Sequence, residues 1–158
     1  MKTCANSETL RSIRTMKIGL AQINTTIGDF SGNEAKIRAA YQAAVSAGAE
    51  LVVFPELATC GYPPRDLLSK PHFVDANLEL LTRLSLDVGD VGMVIGYVDR
   101  AEPGPGRPLT NSVALLHQGE IKARRHKSLL PTYDVFDEDR YFQPAESNAA
   151  VQFGDLKL

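Results

Sequence analysis

Residues 50–68, ELVVFPELATCGYPPRDLL, join an unbroken apolar run to an abrupt stop and place an ionisable side chain at that stop. The apolar run at 51–54 shows no polar alternation, which predicts an inner strand covered on both faces. Pro55 has no amide proton to donate to a sheet, so Glu56 should emerge at the carboxyl end of this strand. Ligands gather at that edge of open α/β folds, which makes Glu56 a candidate general base. The alternative is a solvated glutamate that begins a loop.

The flanking segments predict an alternation of strands and helices. Residues 16–23 form a short strand-like run, and a helix with Asn33 as its N-cap follows and stops at Gly48. Residues 72–86 carry a second apolar stripe at helical spacing, and an apolar strand follows at 91–98. The two glycines of that strand indicate either bulges or places where another segment packs closely. Strand, helix and strand in this order predict a parallel sheet with right-handed crossovers.

The last part of the chain changes from helices to hairpins. Residues 110–116 and 120–124 flank a Gln-Gly turn and predict an antiparallel hairpin, so the complete sheet should be mixed. Residues 126–148 have no clear periodicity and are longer than a usual connection, which indicates a functional or a disordered segment. Residues 151–158 predict one more hairpin, with its turn at a Gly-Asp pair.

Composition restricts the class of protein and of partner. The 158 residues fit one domain or part of one, with a polar, disordered extension at 1–15 and the domain at 16–158. The net charge of -2 provides no field to attract nucleic acid or an anionic membrane, so a small neutral or zwitterionic substrate or another protein is expected. No apolar stretch is long enough to span a bilayer or to serve as a secretory signal, which favours a cytoplasmic location.

Cysteine and histidine positions predict no metal site. Cys4 and Cys60 have no metal-like spacing and are expected to be free thiols in a reducing compartment. The histidines His72, His117 and His126 are dispersed along the chain and give no ligand motif.

Basic residues concentrate at the end of the predicted hairpin. For Lys122 and Arg124 we favour the solvated face of an edge strand, which charge commonly protects from further pairing. Lys127 differs because residues 128–131, SLLP, follow it directly. We expect this apolar turn to anchor Lys127 beside the core.

The combination of these motifs resembles the nitrilase or carbon-nitrogen hydrolase superfamily. Its members share a strand that ends in FPEL and a lysine followed by a leucine-proline turn, as at 54–57 and 127–131. Three further segments resemble the glutaminase domain of the glutamine-dependent NAD synthetase branch: GDFSGN at 28–33, GYPPRDLL at 61–68 and LLPTYDVFDEDRYF at 129–142. The resemblance implies an α/β fold, a nitrilase-like four-layer αββα sandwich with mixed sheets, which this chain would contain only in part.

The resemblance also implies a triad of glutamate, lysine and cysteine that splits an amide through a thioester. Glu56 matches the general base, and Lys127 matches the cation that stabilises the oxyanion. Glu138 is similar to a second glutamate that supports the lysine and the substrate. Tyr62 and Tyr133 match residues that line the glutamine pocket, although simple aromatic packing explains both tyrosines equally well.

The expected cysteine is not found before Leu158, so the resemblance implies that it lies beyond this residue. Cys60 is not expected to replace it, because the family has no nucleophile in the loop after FPEL. A position four residues from the base on the same loop also gives poor geometry for both groups to face one carboxamide. Loss of the nucleophile typically costs about a millionfold in turnover, so the chain alone is expected to be inactive.

The implied reaction is the hydrolysis of glutamine, which supplies ammonia to a synthetase domain or subunit that amidates deamido-NAD. ATP and magnesium would bind to that synthetase part, and no cofactor is expected in this chain. The resemblance also implies a homo-oligomer. Two alternatives stay open: another amidase of the same superfamily, and a non-catalytic α/β module that stabilises an assembly.

Overall fold

The computed structural model describes residues 15–134 and 136–158, in which two helices pack on one face of a five-stranded sheet. The predicted extension lies outside the described residues except for Thr15, and Cys4 lies outside them as well. The strands follow one another in the sheet in chain order: β1 (Ile18–Leu20), β2 (Leu51–Val53), β3 (Gly92–Arg100), β4 (Leu109–His117) and β5 (Glu120–His126).

The sheet is mixed, as the sequence predicts. β2 pairs in parallel with β1 and with β3, whereas β3, β4 and β5 pair antiparallel. β2 is therefore an inner strand, and its residues Leu51 and Val52 are almost fully buried. The turn between β4 and β5 has a positive φ at both Gln118 and Gly119, which matches the twist of an antiparallel hairpin.

Helix α1 (Phe30–Ser46) begins four residues earlier than its predicted start. Asp29 is the N-cap, and its side chain accepts a hydrogen bond from the amide of Gly32 at 2.9 Å. The prediction of Asn33 as N-cap is wrong because this residue is fully buried inside the helix. Its side chain accepts from the amide of Thr26 and donates to the carbonyl of the same residue, both at 2.8 Å. Asn33 thus holds the preceding loop and does not cap the helix.

The helix ends are governed by local sequence. Gly48 adopts a φ of 78° directly after the C-cap of α1, and its amide bonds to the carbonyl of Val45 in a Schellman-type ending, as predicted. Helix α2 (Pro71–Asp87) carries proline at its first turn, where a missing amide proton costs nothing. Between β2 and α2 lies a 3₁₀ turn at Arg65–Ser69.

The two faces of the sheet have different environments. Residues of α1 and α2 pack with alternate residues of the strands in one buried cluster that contains Ile37, Leu80, Val52 and Ile95. On β1, Ile18 and Leu20 are 46% and 79% exposed, although both are apolar.

The final hairpin, β6 (Gln152–Phe153) and β7 (Leu156–Lys157), has the predicted turn. Its residue Phe153 packs against Gly92, where an added Cβ would lie 2.6 Å from the ring. None of the described helices is long and apolar enough to cross a membrane.

Candidate active site

Glu56 is positioned by a close crossing of two backbone segments. After β2, residues 55–57 pass directly over Gly96 of β3. A Cβ atom at Gly96 would lie 2.5 Å from the amide nitrogen of Leu57 and 2.6 Å from the carbonyl oxygen of Pro55. Gly96 is therefore a place where another segment packs closely, which is one of the two interpretations of this glycine. The crossing brings Glu56 to the carboxyl end of β2, as predicted.

A buried hydrogen-bond network fixes the same segment from its other side. The hydroxyl of Thr59 donates to Oδ1 of Asn77 on α2 at 2.6 Å, and Nδ2 of Asn77 donates to the carbonyl of Val98 at 2.6 Å. Nδ2 of Asn33 on α1 also donates to the carbonyl of Thr59, at 3.3 Å. The three polar side chains are fully buried, so the loop that carries Glu56 is joined to both helices and to β3.

Lys127 follows β5 and is held by the sheet. Its amide donates to the carbonyl of Asn111 on β4 at 2.8 Å, which continues the pairing of the two strands by one residue. The prediction that residues 128–131 anchor this lysine as an apolar turn is only partly correct. Leu130 packs against a buried cluster, but Leu129 is 85% exposed. Lys127 is anchored mainly by this backbone hydrogen bond, which the pattern of hydrophobic residues in the sequence does not reveal.

The amine of Lys127 lies between two carboxylates. Its Nζ atom is 2.8 Å from Oε1 of Glu56, although the two residues are separated by 71 positions. The same atom is 3.1 Å from Oε1 and 3.0 Å from Oε2 of Glu138. The structure thus brings together Glu56, Lys127 and Glu138, the three charged residues that the sequence nominates.

Glu138 is buried and fully hydrogen-bonded. It lies in the short 3₁₀ helix Glu138–Arg140 and is only 5% exposed. The hydroxyl of Tyr62 donates to its Oε1 at 2.9 Å, and Nδ2 of Asn111 donates to its Oε2 at 3.2 Å. A buried carboxylate needs such partners, and here two neutral donors and the Lys127 ammonium supply them.

Asn111 belongs to this cluster and was not foreseen. Its Nδ2 atom donates to Oε1 of Glu56 at 2.5 Å, in addition to Glu138. The sequence holds one signal for it: residues 110–112, TNS, are three polar residues directly before the apolar run at 113–116. Such a run inside a buried strand indicates either a polar network or a functional site, and here Asn111 contacts the candidate base.

Electrostatics keep the amine charged and Tyr62 protonated. Burial lowers the pKa of Lys127, but the hydrogen bonds and charges of Glu56 and Glu138 together outweigh this effect, so the net pKa is raised. Burial, with the hydrogen bond and charge of Glu138, also raises the pKa of the Tyr62 phenol. At neutral pH the lysine is an ammonium and the tyrosine a hydrogen-bond donor.

Tyr133 lies further out than Tyr62. Its side chain is largely exposed, and its ring packs edge-on against Phe136 with 5.6 Å between the centroids. The ring of Phe136 is in turn 6.3 Å from that of Tyr62. The three aromatic residues form a continuous series from the surface to Glu138, and a role for Tyr133 in substrate binding stays a prediction.

Cys60 is placed as a core residue. It is fully buried, and its sulfur lies 3.6 Å and 3.8 Å from the carbonyl oxygens of Gly61 and Leu57, in its own turn. Burial raises the pKa of the Cys60 thiol to about 12, so it stays protonated and unreactive at neutral pH. Lys122 pairs with Glu120 on the same strand, and Arg124 pairs with Asp99 of β3.

Glu56, Asn111 and Lys127 line one side of an open cavity of about 350 Å³, which Gly96 and Val113 also border. A second cavity of about 370 Å³ is bordered by Tyr62, Phe136 and Glu138. Each of these two cavities is large enough for a small metabolite. Within residues 15–134 and 136–158, no group of three or more His, Cys, Asp or Glu side chains is arranged to hold a metal ion.

Comparison with known sequences identifies relatives along nearly the whole described chain. The sequence profile of the carbon-nitrogen hydrolase family matches residues 17–158. The glutamine-dependent NAD(+) synthetase of Synechocystis sp. is 44% identical over 145 residues, which are 89% of this chain and 26% of that protein. The synthetase of the same name from Thermotoga maritima is 36% identical over 148 residues, 92% of this chain and 25% of its own length. The chain thus spans about a quarter of these curated relatives.

Solved structures show the same fold. The glutamine-dependent NAD+ synthetase from Acinetobacter baumannii superposes with a TM-score of 0.82 at 34% identity, over 90% of this chain and 26% of that one. An amidase from Nesterenkonia sp. superposes with a TM-score of 0.71 at 27% identity, over 90% of this chain and 53% of the amidase. The fold is therefore that of one part of a nitrilase-type domain, as the sequence predicts.

Proposed function

The chain belongs to the carbon-nitrogen hydrolase family, and from this premise we propose that its charged cluster hydrolyses the side-chain amide of glutamine. The observation that carries the proposal is the Lys127 ammonium within hydrogen-bonding distance of both Glu56 and Glu138. The ammonia would serve a synthetase domain or subunit that converts deamido-NAD to NAD with ATP and Mg²⁺. Support for this substrate comes from relatives that are glutamine-dependent NAD(+) synthetases.

In the first half of the reaction, a cysteine thiol gives its proton to Glu56. This cysteine is supplied from outside the described residues. The thiolate sulfur then bonds to the carboxamide carbon of glutamine, and the Lys127 ammonium stabilises the negative charge that develops on the carboxamide oxygen. The carbon-nitrogen bond breaks as Glu56 returns the proton to the leaving nitrogen. The products of this step are ammonia and a thioester.

In the second half, water attacks the thioester carbon and gives a proton to Glu56. Lys127 again stabilises the oxyanion, and the carbon-sulfur bond breaks as the thiolate regains a proton. Glutamate leaves and the enzyme is restored. An active-site cysteine is recorded for the related Nesterenkonia amidase, in a structure that shows the addition of acrylamide to it.

Glu138 and Tyr62 act in this scheme by holding the amine. The buried Glu138 carboxylate keeps Lys127 charged, and the hydroxyl of Tyr62 satisfies one oxygen of that carboxylate. The aromatic series that ends at Tyr133 would provide an apolar wall for the aliphatic part of glutamine. Because Cys60 is buried and protonated, it should not serve as the nucleophile of this reaction.

A second candidate function is the hydrolysis of another small amide. The structural similarity to the Nesterenkonia amidase favours it, since that protein shares the fold over 90% of this chain. Glutamine is the better candidate because the synthetases match with higher identity, 44% for Synechocystis against 27% for the amidase.

The test is a chimeric enzyme in which residues 17–158 replace the matching segment of the Synechocystis relative, so that the nucleophile and the synthetase part are supplied. We expect ammonia release from glutamine, lowered about a thousandfold or more by Glu56→Gln or Lys127→Met. NAD synthesis from free ammonium is the internal control, because it does not need the amide to be cleaved. A chimera that uses free ammonium but cleaves other amides and not glutamine would refute the substrate assignment.

A further inference from the structure

Asn111 contacts both carboxylates of the cluster and has no part in the reaction described so far. We propose that Asn111 is a positioning residue that orients the Glu56 carboxylate, so that Oε2 and not Oε1 exchanges the proton with the nucleophile and the leaving ammonia. The proposal rests on the proposed function, because it concerns the base of the same reaction.

The backbone of Asn111 is held on both sides. In β4 it pairs with Val98 of β3, and its carbonyl accepts the amide of Lys127 at 2.8 Å. The residue is only 4% exposed. Its side-chain amide therefore starts from a fixed point in the interior of the sheet, which is what a group that orients another one requires.

Hydrogen bonds distinguish the two oxygens of Glu56. Oε1 accepts from Nδ2 of Asn111 at 2.5 Å and from Nζ of Lys127 at 2.8 Å. A carboxylate oxygen offers about two lone-pair directions, so these two donors occupy Oε1. Among the described residues no donor bonds to Oε2, and the Glu56 side chain is 43% exposed and lines the open cavity. Oε2 is the oxygen with free acceptor capacity.

Without this amide, the carboxylate of Glu56 would be free to turn. The last torsion of a glutamate side chain is broad, so little energy opposes a partial turn of the carboxylate plane. A turned carboxylate could offer both oxygens to Lys127 and none to an incoming thiol. The neutral amide of Asn111 prevents this without adding a second positive charge beside Lys127.

The experiment compares Asn111→Leu with Thr110→Val in the chimeric enzyme. Leucine has a similar size but no donor, so we expect kcat for ammonia release to fall on the order of a hundredfold while KM for glutamine stays unchanged. Thr110→Val removes the adjacent buried hydroxyl, which bonds to Ser112 at 2.8 Å and not to the carboxylates, so kcat and KM should both stay unchanged. If Asn111→Leu does not fold, Asn111→Asp keeps the size, removes the donor and should lower kcat at least as much.

A crystal structure of the 158-residue chain gives a readout that does not depend on activity. In Asn111→Leu the Glu56 carboxylate should turn and lose its single-oxygen contact with Lys127, whereas Thr110→Val should keep the 2.8 Å distance. An unturned carboxylate in Asn111→Leu, or a kcat within about twofold of the parent, would overturn the proposal. A wild-type chimera that releases no ammonia would instead refute the proposed function, and the crystal structures would then decide the role of Asn111 alone.

Discussion

Glu56 and Glu138 meet at one ammonium, but the segments that carry them are held by different forces. The β2 segment, residues 54–61, is pressed against the backbone of Gly96 and fixed by fully buried polar groups. The long segment, residues 127–134 and 136–142, combines exposed residues such as Leu129 with the buried Phe142, and at Lys127 it is joined to the sheet and to Glu56 by hydrogen bonds and charge. A substitution that adds bulk should therefore disturb the β2 segment most. A substitution that removes a charge should disturb the long segment most.

This difference suits the two carboxylates to different tasks. The base must stay within reach of a thiol, and close-packed backbone resists displacement. The support for Lys127 needs mainly a buried negative charge, which Glu138 supplies at 5% exposure. The comparison leads to three predictions, in order of expected effect.

The largest effect on stability is expected from Gly96→Ala, at the position on β3 that the β2 segment crosses. The new methyl group would lie under 3 Å from three backbone atoms, none of which is the end of a flexible side chain. We expect a loss of about 3 kcal/mol in the free energy of unfolding, measured by urea denaturation, with loss of ammonia release in the chimera. Gly89→Ala is the matched control because a Cβ there has nothing within 4 Å, and it should change stability by under about 0.5 kcal/mol. If Gly96→Ala and Gly89→Ala lower the free energy of unfolding equally, residues 55–57 do not pack closely on Gly96.

A smaller effect is expected from Lys127→Met, which removes the charge that joins the two segments. The buried Glu138 loses its ionic partner, so the free energy of unfolding should fall by about 2 kcal/mol at neutral pH. The pKa of Lys127 is raised in the folded state. The contribution of this amine to stability is therefore complete below its usual pKa of 10.5 and is lost as pH rises through the higher pKa of the folded state.

Thermal unfolding followed across that alkaline range should show this loss in the parent chain and not in Lys127→Met. Lys122→Met is the control, since Lys122 pairs with Glu120 on the exposed hairpin. If the parent and Lys127→Met lose stability in parallel as pH rises, the amine does not join the segments.

The smallest effect is expected from Cys60→Ala in the β2 segment. Removal of one buried sulfur leaves a small cavity, so the free energy of unfolding should fall by about 1 kcal/mol. Ammonia release by the chimera should be unchanged, because this thiol bonds to carbonyls of its own turn. A loss of activity comparable to that of Glu56→Gln, with stability preserved, would make Cys60 the nucleophile and refute its structural role.

Much of the fold could be predicted from local pattern. The apolar run at 51–54 predicts the inner strand, and Gly48 marks the end of α1 because its φ of 78° suits glycine. The start of α1 was misplaced because Asp29 and Asn33 are both good N-cap residues, and only the burial of Asn33 shows which one caps the helix. Residue type alone does not choose between them.

The sequence by itself determined the order of strands and helices, the family and the three charged candidates Glu56, Lys127 and Glu138, because these follow from periodicity, turn chemistry and short motifs. Only the tertiary structure decided that one amine lies 2.8 Å from the first carboxylate and 3.0 Å from the second, and that Asn111 touches both. The physical reason is that periodicity is local, whereas these contacts depend on the pairing of β4 with β3 and β5, which brings together residues far apart in the chain.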